Sequence, residues 1–225
     1  MSRRLFRGLF RSGALVLVLG LTGCAGTSGL NAIVGTLGQV IGNDDLAAKA
    51  PINPALRYLR VVIDGRTGLF VQGYEDADAG GPIEVWYSGQ REVVRFQNGR
   101  LLDAVGLSIE WRSVQVPVFP AWSVVAKVGA PLHWARVRDV MPGYRAGVRD
   151  ALWLRVTQPP SRHNLVGVNP GSVTWFEETV EGDDLPLARY AVDFSGGREV
   201  VLYGEQCLSP TFCFSWQRWP VGQVR

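Results

Sequence analysis

The sequence predicts a mainly β protein: an antiparallel sandwich or open half-barrel, with one or two short N-terminal helices after an export signal. Three observations lead there. From Leu56 onward apolar residues recur with a period of two, Gly- and Pro-rich turn stretches fall at even intervals, and the segments between them are short and rich in Val, Tyr, Phe and Trp. Alternation is the mark of a half-buried strand, and short strands punctuated this way build antiparallel sheets.

The chain opens differently. Arg3, Arg4, Arg7 and Arg11 precede an apolar run from Ala14 to Leu19, and small residues follow. That run falls short of the roughly 20 residues needed to span a bilayer, so it reads as a secretion signal. It ends in Leu21-Thr22-Gly23-Cys24, which resembles the bacterial lipobox. The resemblance implies that Cys24 takes a diacylglyceryl thioether, that residues 1–23 are removed, and that the new amine is acylated as well. Only a sulfur nucleophile makes that bond, and two or three acyl chains hold a protein stably where one would not. The competing reading is a plain signal peptide with a chance cysteine.

Residues 24–55 form a tether and a short helical segment. Ala25–Gly29 is a flexible run of small residues. Leu30, Ile33, Val34, Leu37, Val40 and Ile41 then recur at helical spacing, weakened by Gly35 and Gly38. This stripe either lies on the membrane beside the anchor or docks on the domain. Asn43-Asp44-Asp45 can cap a second short helix through Lys49, ended by Pro51 and Pro54.

Residues 56–225 form one β-rich domain. Strands are expected at 58–63, 69–74, 83–87, 92–96 and 101–105, with one or two more between Ser108 and Val118. Asp64–Gly68 should turn the first pair, and Asn98-Gly99 is the best hairpin signal, because both residues tolerate positive φ. Further strands are expected at 132–140, 144–156, 173–180, 189–194, 199–206 and 214–219. The proline cluster between Pro117 and Pro131 divides two halves of one sheet system.

Composition narrows the function. Removing the first 23 of 225 residues leaves 202, enough for one domain with a real core. Four of the 23 basic residues lie in the leader, so 19 face 20 acidic ones, and a nucleic-acid-binding body is not expected. With Cys24 assigned to lipid, Cys207 and Cys213 remain in an oxidising compartment, as a disulfide or as two free thiols. A bridge would close a short loop, for about 2 kcal/mol of stabilisation. His133 and His163 stand far from them in sequence, so no metal site and no cofactor are expected.

Catalytic signatures are missing. There is no Gly-x-Ser-x-Gly elbow. Asp44/Asp45, Glu177/Glu178 and Asp183/Asp184 are adjacent pairs, which on a strand point to opposite faces and otherwise read as solvated charges; a glycosidase needs two carboxyls about 5–10 Å apart across a sugar. One surface pattern is sharper. Alternation puts Trp134, Arg136 and Arg138 on one face of their strand, and Arg149, Trp153 and Arg155 on one face of the next. As neighbours they would make a patch of two indoles among guanidinium groups, suited to an acidic polysaccharide. The bland alternative is an exposed face that Trp covers and Arg keeps soluble.

Several runs together resemble the YjbF/GfcB family of lipoproteins, which belong to operons for exopolysaccharide or group 4 capsule production. They are the lipobox with the segment ending in Asn43-Asp44-Asp45-Leu46; Val94-Arg95-Phe96-Gln97-Asn98-Gly99-Arg100-Leu101, with Gly106-Leu107; the run from Tyr144 to Arg155; and Ala188-Arg189-Tyr190-Ala191-Val192-Asp193, Gly197, then Leu202-Tyr203-Gly204-Glu205-Gln206-Cys207-Leu208. The resemblance implies an outer-membrane lipoprotein on the periplasmic face, mostly β. Its role would be as a non-enzymatic accessory in producing or exporting polymer. The expected partners are the outer membrane through the anchor, an acidic polysaccharide and other proteins of the export system. Ala25 fits this address, since Asp there would retain the protein in the inner membrane. Two other classes stay open: a lipid- or hydrophobe-binding half-barrel, which needs a large apolar cavity, and a polysaccharide-modifying enzyme, which needs converging carboxylates or a Ser/His pair.

Overall fold

The computed structural model describes residues 49–223. The leader, Cys24, the apolar stripe of residues 30–41 and the stretch from Asn43 to Ala48 lie outside the described residues. Strands β1 (Tyr58–Ile63), β2 (Arg66–Asp76), β3 (Ile83–Tyr87), β4 (Val93–Gln97), β5 (Arg100–Val105) and β6 (Glu110–Gln115) are followed by helix α1 (Trp122–Val128). Then come β7 (Leu132–Met141), β8 (Arg145–Thr157), β9 (Thr174–Val180), β10 (Ala188–Asp193), β11 (Val200–Ser209) and β12 (Phe212–Trp219). Each strand pairs antiparallel with its sequence neighbours, and β1 pairs with β12, Tyr58 opposite Trp219 and Ile63 opposite Phe214. The sheet is therefore a closed barrel, which corrects the expected sandwich or half-barrel. Periodicity locates strands, whereas closure is a contact between the first and last of them.

Tight turns set the register. Asn98 and Gly99 both have positive φ, 51° and 73°, and join Gln97 to Arg100 in two residues. Asp64 and Gly65, at 49° and 73°, do the same between Ile63 and Arg66, so the first turn is shorter than the expected Asp64–Gly68. Such turns match the right-handed twist of the strands they connect.

Because every neighbour is antiparallel, connections alternate between two rims. One rim, here the upper, carries residues 77–82, Asn98-Gly99, the segment 116–131 with α1, and the long segment 158–173; β1 also begins there and β12 ends there. The helix corrects the reading of 117–131 as a mere divider. Trp122-Ser-Val-Val-Ala-Lys-Val is short and rich in β-branched residues, and no side chain of its own caps it. Glu199 does so from 77 residues away, accepting from the backbone N–H of Trp122 (2.9 Å) and Ser123 (3.0 Å).

Large side chains fill most of the lumen. Phe96 of β4 stacks on Trp216 of β12 with ring centres 4.6 Å apart, and Trp122 plugs the upper mouth against Phe176 (5.0 Å) and Tyr190 (4.9 Å). Trp111 of β6 donates its indole N–H to the carbonyl of Leu208 on β11 (3.0 Å). Gly204 stands opposite Trp216, and a Cβ there would run into the indole, so the residue makes room for the ring. Outside, Ala50, Ile52 and Leu56 cover Tyr58, Leu69 and Val71, while Leu165 and Val168 cover Trp175, Ala191 and Tyr203. Elsewhere the outer wall carries ion pairs such as Arg95 with Asp76 and Asp103 (3.0 Å each) and Arg189 with Glu205 (3.1 Å). A barrel facing lipid would carry an apolar band on that side instead. No described helix is long and apolar enough to cross a membrane.

Candidate functional site

The two predicted arginine strands are neighbours, β7 and β8, but the barrel wall separates their side chains. Trp134 opposes Leu152 and Arg136 opposes Asp150, whereas Trp153 opposes His133 and Arg155 opposes Glu177 of β9. Opposed residues share a face, so Trp134, Arg136 and Arg138 point into the lumen and are buried, and Arg149, Trp153 and Arg155 point outward and are exposed. The expected single patch is corrected on this point. The outward trio is itself partly engaged: Arg155 Nε donates to Glu177 (2.6 Å), and Trp153 lies against His133, ring centres 4.8 Å apart.

Inside, the inward trio builds a charge network. Arg136 Nε (2.6 Å) and Arg138 Nε (2.7 Å) both donate to Asp150 Oδ2, and Arg138 Nη2 reaches Asp150 Oδ1 (3.0 Å) and Asp183 Oδ2 (2.7 Å). Arg136 Nη1 also meets Glu178 Oε1 (3.3 Å). The Trp111 ring lies against both guanidinium groups, 4.5 and 4.9 Å from its centre. Burial pushes the Asp150 carboxyl up, but the hydrogen bonds and charges of Arg138 and Arg136 outweigh it and hold the group below the usual carboxylate range. Glu178, fully buried, is pushed up by desolvation despite Arg136 and Arg100. Glu178 and Asp183 are thus structural partners of arginine, which corrects their reading as solvated charges.

Arg100 closes this network under the helix. Its guanidinium carbon sits 3.7 Å from the centre of the Trp122 ring, with Phe119 (5.4 Å) and Trp134 (5.7 Å) beside it. Burial pushes its pKa down to about 10, against the favourable charges of Glu178, Tyr190 and Glu199. Its Nε, Nη1 and Nη2, the Trp134 Nε1 and the Glu178 Oε2 have no protein partner among the described residues. Ordered water is the usual answer to such a cluster.

Among the described residues three concave surfaces remain for ligands, the smallest a hollow of about 230 Å³ at the lower mouth lined by Val61, Ile63, Phe70, Leu107 and Phe212. A cleft of about 410 Å³ crosses the upper rim where β1, β2 and β3 meet β11 and β12, lined by Arg57, Tyr58, Glu84, Arg198, Arg218 and Trp219, among others. A shallower hollow of about 720 Å³ lies on the outer wall beside the Cys207–Cys213 disulfide, with Arg162, His163 and Arg189 on its edge. That disulfide is one of the two alternatives the sequence left open; it links cross-strand partners of the β11–β12 hairpin. Sequence reasoning missed all three surfaces, since their residues come from strands distant in the chain. The interior network did leave one trace: Asp150 shares its face of β8 with Leu152 and Leu154, and an acid on an apolar face calls for a buried cation.

No protein-family model matches the chain, and no curated protein matches it. Among solved structures, the fold has a likeness. It is similar to the hypothetical lipoprotein YmcC from Escherichia coli (K12). The TM-score is 0.54 at 16% identity, over 84% of this chain and 94% of that one.

Proposed function

We propose that this protein is an outer-membrane lipoprotein on the periplasmic face, acting as a non-enzymatic accessory in exopolysaccharide or capsule production through its surface. The observation that carries the surface role is the largely filled lumen. With Phe96 stacked on Trp216 and Trp122 plugging the upper mouth, the interior built by the described residues keeps only a hollow of about 230 Å³ at the lower mouth, lined by Val61, Ile63, Phe70 and Phe212. That is below the roughly 300–1,000 Å³ of ordinary ligand pockets, which argues against a hydrophobe carrier. Three further points support the address and the pathway: the lipobox at Cys24 with Ala25 after it, the sequence resemblance to the YjbF/GfcB lipoproteins, and the likeness of fold to a protein itself described as a hypothetical lipoprotein.

The carboxylates also favour a non-catalytic reading. Asp150 and Glu178 are buried among arginines, out of reach of a polymer. At the rim, Glu84 is held by Arg218, Glu75 pairs with Arg57, and Glu199 caps the helix. Glu199 is held below its ordinary pKa, because its hydrogen bonds to Ser123 and Trp122 outweigh desolvation, the opposite of what a general acid needs. The test is genetic and chemical together. Deleting the gene should reduce secreted polymer, and a Cys24→Ser protein should neither incorporate labelled palmitate nor restore the yield. Normal polymer from the deletion strain would overturn the function, and an unlabelled wild-type protein would overturn the anchor.

A further inference from the structure

The upper-rim cleft has a charge balance and a wall that point to a ligand. Its acids are already answered. Arg218 Nη2 donates to both oxygens of Glu84 (2.6 and 2.9 Å), and its Nε is fixed on the carbonyl of Val201 (3.0 Å). Arg57 pairs with Glu75 (3.0 Å) while keeping 71% of its side-chain surface exposed. Glu199 faces the N–H groups of α1. What is left over is Arg198, which lines the cleft, is exposed, and has no side-chain partner among the described residues. The field in the cleft is therefore set by an unanswered guanidinium, with a second, largely exposed one across from it at Arg57.

Between them stand Trp219, half-buried, and Tyr58, whose hydroxyl accepts from the Asn53 backbone (3.0 Å) and so fixes the ring. An indole offers a flat apolar face against which the C–H face of a pyranose can lie, and a guanidinium grips a carboxylate with two parallel N–H donors. At about 410 Å³ the space falls within the ordinary range for ligand pockets, roughly 300–1,000 Å³. The lining mixes guanidinium, carboxylate and carboxamide groups with the rings of Tyr58, Trp86 and Trp219, which suits a hydroxylated ring better than an alkyl chain.

We propose that this cleft binds an acidic sugar residue, its ring against Trp219 and its carboxylate on Arg198 and Arg57. The inference rests on the polymer-related reading above and names the surface and the ligand class for it. It replaces the β7–β8 patch, whose indoles and arginines the barrel wall divides.

The experiment is calorimetric titration of the full-length protein in detergent with a uronic-acid oligosaccharide, an oligogalacturonate, against a neutral maltooligosaccharide of equal length. Wild type should bind the acidic oligomer, several-fold more weakly as salt rises from 50 to about 300 mM, because exposed charges are screened, and should bind the neutral one at least tenfold more weakly. Arg198→Ala, at an exposed position that leaves the melting temperature unchanged, should weaken acidic binding at least tenfold, and Arg198→Lys should restore only part of it. Trp219→Ala should weaken both oligomers. Absence of binding by wild type, equal affinity for both oligomers, or an Arg198→Ala protein that binds normally would overturn the site. A normal polymer yield from the deletion strain speaks to the function alone, so the two failures are told apart.

Discussion

Asp150 is the residue on which the lumen's electrostatics turn, since it takes three hydrogen bonds from Arg136 and Arg138 in full burial. Replacing it by Asn leaves two buried guanidinium groups short of a counter-charge, for an expected loss of about 3–5 kcal/mol. Its folded-state pKa is depressed. Its stabilisation is therefore full above the ordinary Asp value near about 3.9 and is lost as pH falls through the depressed one. Glu178 has the opposite sign: its raised folded-state pKa makes its contribution decline as pH rises from the ordinary Glu value through the raised one. Urea unfolding at pH 7 and below pH 4 separates them. The acid-side loss should be smaller in Asp150→Asn than in wild type, with a remainder from carboxylates such as Glu199 whose pKa is also depressed. An equal acid-side loss in both would place the sensitivity elsewhere. This residue also shows how much of the site the sequence discloses. An acid between positions of an apolar face implies a buried base, but not which one, because Arg136 and Arg138 belong to a different strand and read as naturally outward as inward.

At the scale of elements, the strands were legible and the helix was not. Period two and the Asn98-Gly99 turn place β3, β4 and β5 to within a residue or two, because those signals are local. Helix α1 depends on a carboxylate from the β10–β11 connection, a partner no window around residue 122 contains. Glu199→Ala should therefore free the first turn of α1, costing about 1 kcal/mol, and loosen the Trp122 plug over Arg100. Tryptophan emission should shift to the red without loss of the β signal in circular dichroism. An unchanged spectrum would show that Trp122, through its N–H bond to the Asn98 carbonyl (3.0 Å), holds the helix unaided.

For the whole molecule, the decisive contact is the seam between β1 and β12. Without β12 the strands β1 and β11 each present an open edge, and open edges pair with other chains. A protein truncated after Ser209 should thus elute as aggregate in gel filtration, whereas removal of residues beyond Pro220 should leave the elution of the intact protein unchanged. A monomeric, compact truncation product would mean that β11 and β1 can meet directly. Closure is also the part of the fold that local patterning reveals least, since an open meander and a barrel share the same alternation.

That seam has a consequence for biogenesis. A polypeptide leaves the ribosome amino end first, so β1 is made long before β12 exists. Hairpins such as the one at Asn98-Gly99 can form early, yet the cylinder has to wait for its final staves, and pairings so distant along the chain are slow. Closure is thereby delayed by topology itself, and the last hairpin to arrive is the one that carries the cystine.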